Sequence, residues 1–270
     1  LFQQGSLKLE ERAGQFELMD RIHLALSESR EIVCEAETGI GKTLGYLIPA
    51  AIYGIEQGKP IIISTYTTHL IDQLINEEIP KLHDILNINL RVAKLKGINH
   101  YIDLYRFWEH LQQDDESYDE TFTIMQILVW LTMTEEGDLS ELNVSGGGLL
   151  FVDKIRRTSE KMINDVKGID FYERALLRSK DCDILVTNHS MIIADKDREV
   201  KLLENGCATI IDEAHQMIHA SISRKERIFS YTNWKYILGQ FGTLDTDHLL
   251  YKLSLINVSL SVRLRIEKLF

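Results

Sequence analysis

Apolar residues along this chain follow two alternating rhythms. Residues 60–64, 90–95, 183–187 and 207–211 are short apolar runs of the length and β-branched content expected of strands buried on both faces. Residues 31–36 form another β-prone run that ends in a glycine-rich turn. Between these runs, residues 44–55 and 68–86 carry apolar side chains at three- and four-residue spacing, as in Leu70, Ile71, Leu74, Ile75, Ile79 and Leu82. That spacing predicts helices. Strand and helix in strict alternation predict an α/β fold with a central parallel sheet flanked by helices. Residues 97–180 interrupt the rhythm with a predicted helix over 122–133 and a flexible Ser145–Gly148 stretch. They read as a helical insertion between strands. After His215 the strands stop, and helix-prone sequence continues to Phe270.

Composition fits a globular chain, with 44% hydrophobic and 26% charged residues among 270. Three widely spaced cysteines, Cys34, Cys182 and Cys207, do not suggest a disulfide framework and favour a reducing, cytoplasmic setting. Cys34 and Cys207 fall in predicted core strands. No apolar run approaches the roughly 20 residues of a membrane span, and the first residues do not form a signal peptide. The absence of an initial Met fits a piece of a longer chain. A net charge of -11 argues against a surface that coats nucleic acid. That charge is concentrated, however. Residues 103–143 hold eleven acidic side chains against Arg106 alone, so the remainder is nearly neutral. Such an acidic run reads as a solvated segment. Residues 154–180 are locally basic, with eight Lys or Arg against four acids.

The chemistry is concentrated in two places. Residues 36–43, Ala-Glu-Thr-Gly-Ile-Gly-Lys-Thr, match a phosphate-binding loop with Ala in place of the first Gly. Thr38, Gly39, Ile40 and Gly41 would wrap backbone N–H groups around phosphates, and the next helix would aim its positive end at the same anion. Lys42 would reach the outer phosphates of ATP, and Thr43 would hold Mg²⁺. A chance Gly-rich turn is the bland alternative. Far downstream, residues 207–215 form an apolar strand ending in Asp212-Glu213-Ala214-His215. Asp212 suits the metal and Glu213 suits activation of water. Alone, this could be an acidic strand-to-helix loop.

The two motifs together resemble those of superfamily-two helicases, and further segments resemble the DinG/XPD-like branch. Arg12 and Gln15 sit in a segment similar to that family's adenine-contacting stretch. Residues 64–74 resemble its motif Ia, which touches nucleic-acid backbone, and residues 96–101 resemble its Lys-Gly segment. Residues 183–190 resemble its strand with Asn-His, here Asn188 and His189. The resemblance implies a RecA-like motor lobe built from residues 1–96 and 181–215. It places an insertion over 97–180 where the family carries an iron–sulfur domain, and the start of an arch-like insertion over 216–270. It also implies an ATP- and Mg²⁺-dependent DNA helicase that moves 5′ to 3′ on single-stranded DNA. In this reading Thr65, Thr67, Lys96 and Asn188 contact nucleic acid, and His215 links them to the triphosphate. A second RecA-like lobe would complete the site. Asp103 stands where the family's first cluster cysteine would be, and only Cys182 lies in the interval. One thiol cannot supply a cluster that needs four. Relatives without a cluster often carry an upstream exonuclease domain.

Two other readings compete. One is a nucleotide-sensing, helicase-like module that controls an attached exonuclease without unwinding. The other, a P-loop kinase or transporter ATPase, is disfavoured by the Asp-Glu-Ala-His box. Trp108 and Trp130 could stack on bases, although their helical spacing suggests core packing.

Overall fold

The structure is a computed structural model that describes residues 13–37, 39–112, 118–158 and 170–225. Four parallel strands form its sheet: β1 (Ile61–Thr65), β2 (Val92–Lys94), β3 (Ile184–Asn188) and β4 (Ala208–Ile211), in the order β2-β3-β1-β4. Ile61 is in register with Ile184 on one side and Ala208 on the other. Every residue of β1 and β3 is buried, which accounts for their uninterrupted apolar character.

The pleat sorts these side chains into two cores. Ile61, Ile63, Ile184 and Val186 face α2 (Lys42–Gln57), α3 (Thr68–Gln73) and α4 (Ile79–Leu86). Ile62, Leu185 and Ala93 face the other way. That second face is covered by residues of the insertion, among them Tyr101, Phe107, Ile127, Phe151 and Tyr172. The insertion therefore has no separate core. Burying one Ile or Phe on that face contributes about 2 kcal/mol, so the sheet and the insertion stabilise each other.

The helix predicted over 68–86 is broken. A π-turn at Leu74–Glu78 separates α3 from α4. Pro80, near the start of α4, has no N–H for the preceding turn and its ring crowds that turn's carbonyl, so the helix changes register there. The insertion contributes α5 (Leu104–His110), α6 (Tyr118–Leu131), α7 (Gly147–Lys154) and α8 (Phe171–Lys180). Among the described residues, several of its acids are fasteners. Asp138 pairs with buried Lys96, Glu120 with Lys154 at 2.7 Å, and Glu136 with Arg178 at 2.8 Å. Trp130 Nε1 donates to Glu141 at 2.8 Å. Gly137 has φ +65°, and a Cβ there would lie 2.2 Å from the Phe171 ring, so no other residue fits.

Three expectations need correction. Residues 31–36 form no strand, and Val33 is 96% exposed. A β-prone run needs a paired, half-buried place to become a strand, and among the described residues this one has none. Cys34 is accordingly exposed and not in a core. Trp130 is buried, but Trp108 is 56% exposed and only leans on Tyr105, ring centres 6.3 Å apart. Arg12, Thr38 and residues 226–270 lie outside the described residues. The chain order closes with α9 (His189–Lys196), packed after β3, and α10 (Met217–Lys225), while α1 (Ala13–Ser27) lies against α2.

Candidate nucleotide and nucleic-acid site

The phosphate loop takes its shape from glycine. Gly39 and Gly41 have φ of +87° and +80°, and a Cβ on Gly41 would strike Gln15 Nε2 at 2.4 Å. Gly41 also begins the 16-residue α2 with no side-chain cap, so the first-turn N–H groups remain free to bind an anion. Gln15, expected near adenine, instead donates from Nε2 to Gly41 O at 2.8 Å and fastens α1 to the loop.

β4 delivers the acidic box to the same place. Asp212 N donates to Ser64 O at 2.9 Å, extending the pairing of β4 with β1. Lys42 Nζ then meets Glu213 Oε1 at 3.2 Å, and Tyr46 OH donates to Asp212 Oδ2 at 3.2 Å. Tyr46 is one helical turn beyond Lys42, so both side chains leave the same face of α2. Burial raises the Asp212 carboxyl above the usual carboxylate range, and the Glu213 charge adds to the rise. Burial likewise raises the Tyr46 phenol, with the Asp212 charge second, so it stays a hydrogen-bond donor; the neighbouring Thr43 hydroxyl opposes the rise. Glu213 is left-handed with φ +53°, unusual for a side chain of its kind. His215 points outward, its Nδ1 3.4 Å from Glu213 Oε2.

The expected nucleic-acid set divides differently. Thr67 is exposed, and its Oγ1 accepts from Leu70 N to cap α3. Thr65 is buried and donates to Thr67 O at 3.3 Å. Asn188 is buried and caps α9, accepting from Met191 N at 2.8 Å. Lys96 is placed contrary to expectation. It is fully buried, with its ammonium on Asp138 and 3.2 Å from Ser140 Oγ, so it has no surface to offer a phosphate.

A family model described as DEAD/DEAH box helicase matches residues 15–129. The curated protein "3'-5' exonuclease DinG" of Bacillus subtilis is 37% identical over 246 residues, covering 90% of this chain and 26% of that protein. Its namesake in Staphylococcus epidermidis is 33% identical over 246 residues, covering 91% and 27%. The chain carries a DEAD/DEAH-box helicase domain of the DinG type. It spans about a quarter of the length of these curated relatives. A solved XPD helicase structure aligns over 80% of this chain and 34% of its own, with TM-score 0.42 and 19% identity.

In this DinG-type domain, the oxygen donors fit a Mg²⁺ carried by a nucleotide. Asp212 and Thr43 share Tyr46 as neighbour, and hydroxyl plus carboxylate is the hard-oxygen set that Mg²⁺ takes together with phosphate oxygens. Among the described residues, no three His, Cys, Asp or Glu side chains gather into a site that would hold a metal unaided. Tyr46 was not singled out from the sequence. The signal was there, one turn after Lys42, but a tyrosine in an apolar helix reads as core.

Proposed function

We propose that this chain is the first motor lobe of an ATP-dependent DNA helicase or translocase that acts on single-stranded DNA. One observation carries the reading: Lys42 and Glu213, 171 positions apart, stand 3.2 Å from each other at an uncapped helix start. Bound ATP would bring Mg²⁺, which neutralises phosphate charge during transfer. Lys42 would exchange Glu213 for the outer phosphates. Glu213, so released, would orient and deprotonate the attacking water. Asp212 and Thr43 would hold the metal, with Tyr46 fixing the second carboxylate oxygen. Gly39, Ile40 and Gly41 would supply the backbone cradle.

The rest of the motor lies in the remaining length that relatives possess. A second RecA-like lobe there would provide the opposing charge for hydrolysis. Family resemblance gives the direction as 5′ to 3′, and the cysteine spacing speaks for a motor without an iron–sulfur cluster. A cytoplasmic setting fits the cysteine usage. No described helix is long and apolar enough to cross a membrane.

The name of the relatives favours a second reading, in which the lobe senses nucleotide and governs an exonuclease domain of the same polypeptide. The test is ATP turnover by the full-length protein with and without single-stranded DNA and Mg²⁺, alongside strand separation on a tailed duplex. Stimulated turnover with unwinding supports the motor. Turnover without unwinding, together with altered nuclease activity in Lys42→Ala, supports the second reading. No DNA effect on turnover in either assay removes the motor reading.

A further inference from the structure

Beside the DEAH box stands a polar side chain that the mechanism above does not use. His189 is fully buried at the start of α9. Its Nδ1 shares a 2.6 Å hydrogen bond with Ser64 Oγ, itself fully buried. Its Nε2 is buried and reaches no hydrogen bond of normal geometry. Leaving such a group unpaired in a dry place is costly, so its place needs a reason.

The surroundings supply one. Burial lowers the ring's affinity for protons, and the nearby backbone of Glu213 and Asp212 opposes that effect. A neutral ring with its proton on Nε2 lets Ser64 Oγ donate to Nδ1 and turns Nε2–H toward that backbone. Ser64 meanwhile accepts from Asp212 N at 2.9 Å through its own carbonyl. On the other side, the His189 ring lies 6.2 Å from the ring of Tyr66, which is exposed in the turn between Thr65 and Thr67. His189 thus touches the ends of three strands: β3, which it follows, β1 through Ser64, and the turn after β4.

We propose that His189 is a positioning residue that couples the acidic box to the turn after β1, so that nucleotide and single-stranded DNA alter each other's binding. The inference rests on the motor reading and specifies the physical link within it. Nε2 lies by the backbone of Glu213, whose left-handed conformation an L-residue adopts only at a cost. A donor there can stabilise an alternative setting of that peptide, and the Ser64 bond passes any ring movement to β1. Coupling needs such a two-state element that both sites bias.

The experiment uses the full-length protein and fluorescein-labelled single-stranded DNA, read by anisotropy with and without a slowly hydrolysed ATP analogue. In the natural protein the analogue changes DNA affinity by roughly fivefold or more, the usual range of coupling between two sites. His189→Gln loses the Nδ1 position, and His189→Asn loses Nε2. Both should reduce the coupling to below about twofold while each ligand alone binds as before. Ser64→Ala removes a single oxygen and should reproduce the loss, and it decides the matter if the His189 variants fail to fold. Full coupling in Ser64→Ala or in folded His189 variants overturns the inference alone. So does a loss accompanied by weaker binding of each ligand separately. No coupling in the natural protein overturns both the inference and the motor reading.

Discussion

Lys42, at the start of α2, and Lys96, just after β2, both lie in segments that resemble helicase motifs, yet the fold treats them in opposite ways. The Lys42 side chain is 32% exposed and pairs with Glu213, itself 38% exposed. A phosphate can take that ammonium because the pair is loose and half in water. Lys96 is 1% exposed and pairs with Asp138, at 2%, across the seam between β2 and the insertion. Lys94 reinforces the seam, 2.9 Å from Asp72 and 3.6 Å from Asp138. A lysine in a motif therefore becomes a ligand group or a structural group according to whether the fold has already satisfied its charge in a dry place.

The sharpest way to break this contrast is at the seam. Lys96→Met leaves the buried Asp138 charge only Lys94 at 3.6 Å and the Ser140 donors, and breaking such a pair costs up to about 3–5 kcal/mol. The loss appears as a lower midpoint in urea unfolding. Lys96→Met with Asp138→Leu should recover most of it, because an apolar pair of similar volume replaces both charges. A small stability loss with a large fall in DNA affinity would return Lys96 to the nucleic-acid surface.

The same substitution logic at the other lysine gives the opposite result. Lys42→Ala should shift stability by under about 1 kcal/mol, as expected of a half-exposed pair. In the full-length protein it should lower ATP turnover by roughly 100-fold or more, the scale of losing a charge that stabilises a transition state. Turnover within a few-fold of normal would remove Lys42 from the chemistry.

Acid distinguishes the two carboxylates by sign. Burial pushes Asp138 up, but the Lys96 ammonium and Ser140 outweigh it, and its carboxyl sits below the usual range. Its stabilising contribution is present above the unfolded carboxylate value near 4 and is lost as pH falls through the lower folded value. The stability gap between the natural protein and Asp138→Asn should then be flat from about pH 8 to pH 5 and close below about pH 4. Asp212 is raised, so its penalty on folding grows as pH rises past the unfolded carboxylate value near 4 and is complete above the raised folded value. Asp212→Asn should therefore unfold slightly later than the natural protein at neutral pH while losing ATP turnover. Titrated urea midpoints test both signs, and a matching pH trend for the two variants would contradict them.

Periodicity and motif chemistry were enough to infer the parallel sheet, its helices and the meeting of Lys42 with the acidic box. Those features follow from local rules: apolar runs of strand length, and glycine where left-handed backbone is required. What stayed hidden depends on three-dimensional accounting. Residues 31–36 have the composition of a strand but no pairing partner among the described residues, which no local pattern records. The described acids of the run looked solvated because sequence order does not show Glu120 opposite Lys154 or Glu136 opposite Arg178. Lys96 looked like a phosphate ligand because its partner lies 42 positions away. Tyr46 was obscured for a related reason, since an aromatic ring in an apolar stretch carries no mark of what its polar atom will meet.

The smallest effect tests whether a side chain can belong to both classes. Thr67 caps α3 through Oγ1 and is also exposed at the turn after β1. Thr67→Ala should lower stability by about 1 kcal/mol from the lost cap. Thr67→Asp restores an acceptor for Leu70 N and keeps that stability, since Asp caps as well as Ser or Thr. It also places a negative charge at the turn. If a DNA phosphate lies there, Thr67→Asp should bind single-stranded DNA severalfold more weakly than Thr67→Ala, even though it is the more stable variant. Equal DNA affinity for the two would make Thr67 a cap alone, as Asn188 is by its burial, and would leave the exposed Tyr66 as the side chain at that turn free to meet a strand.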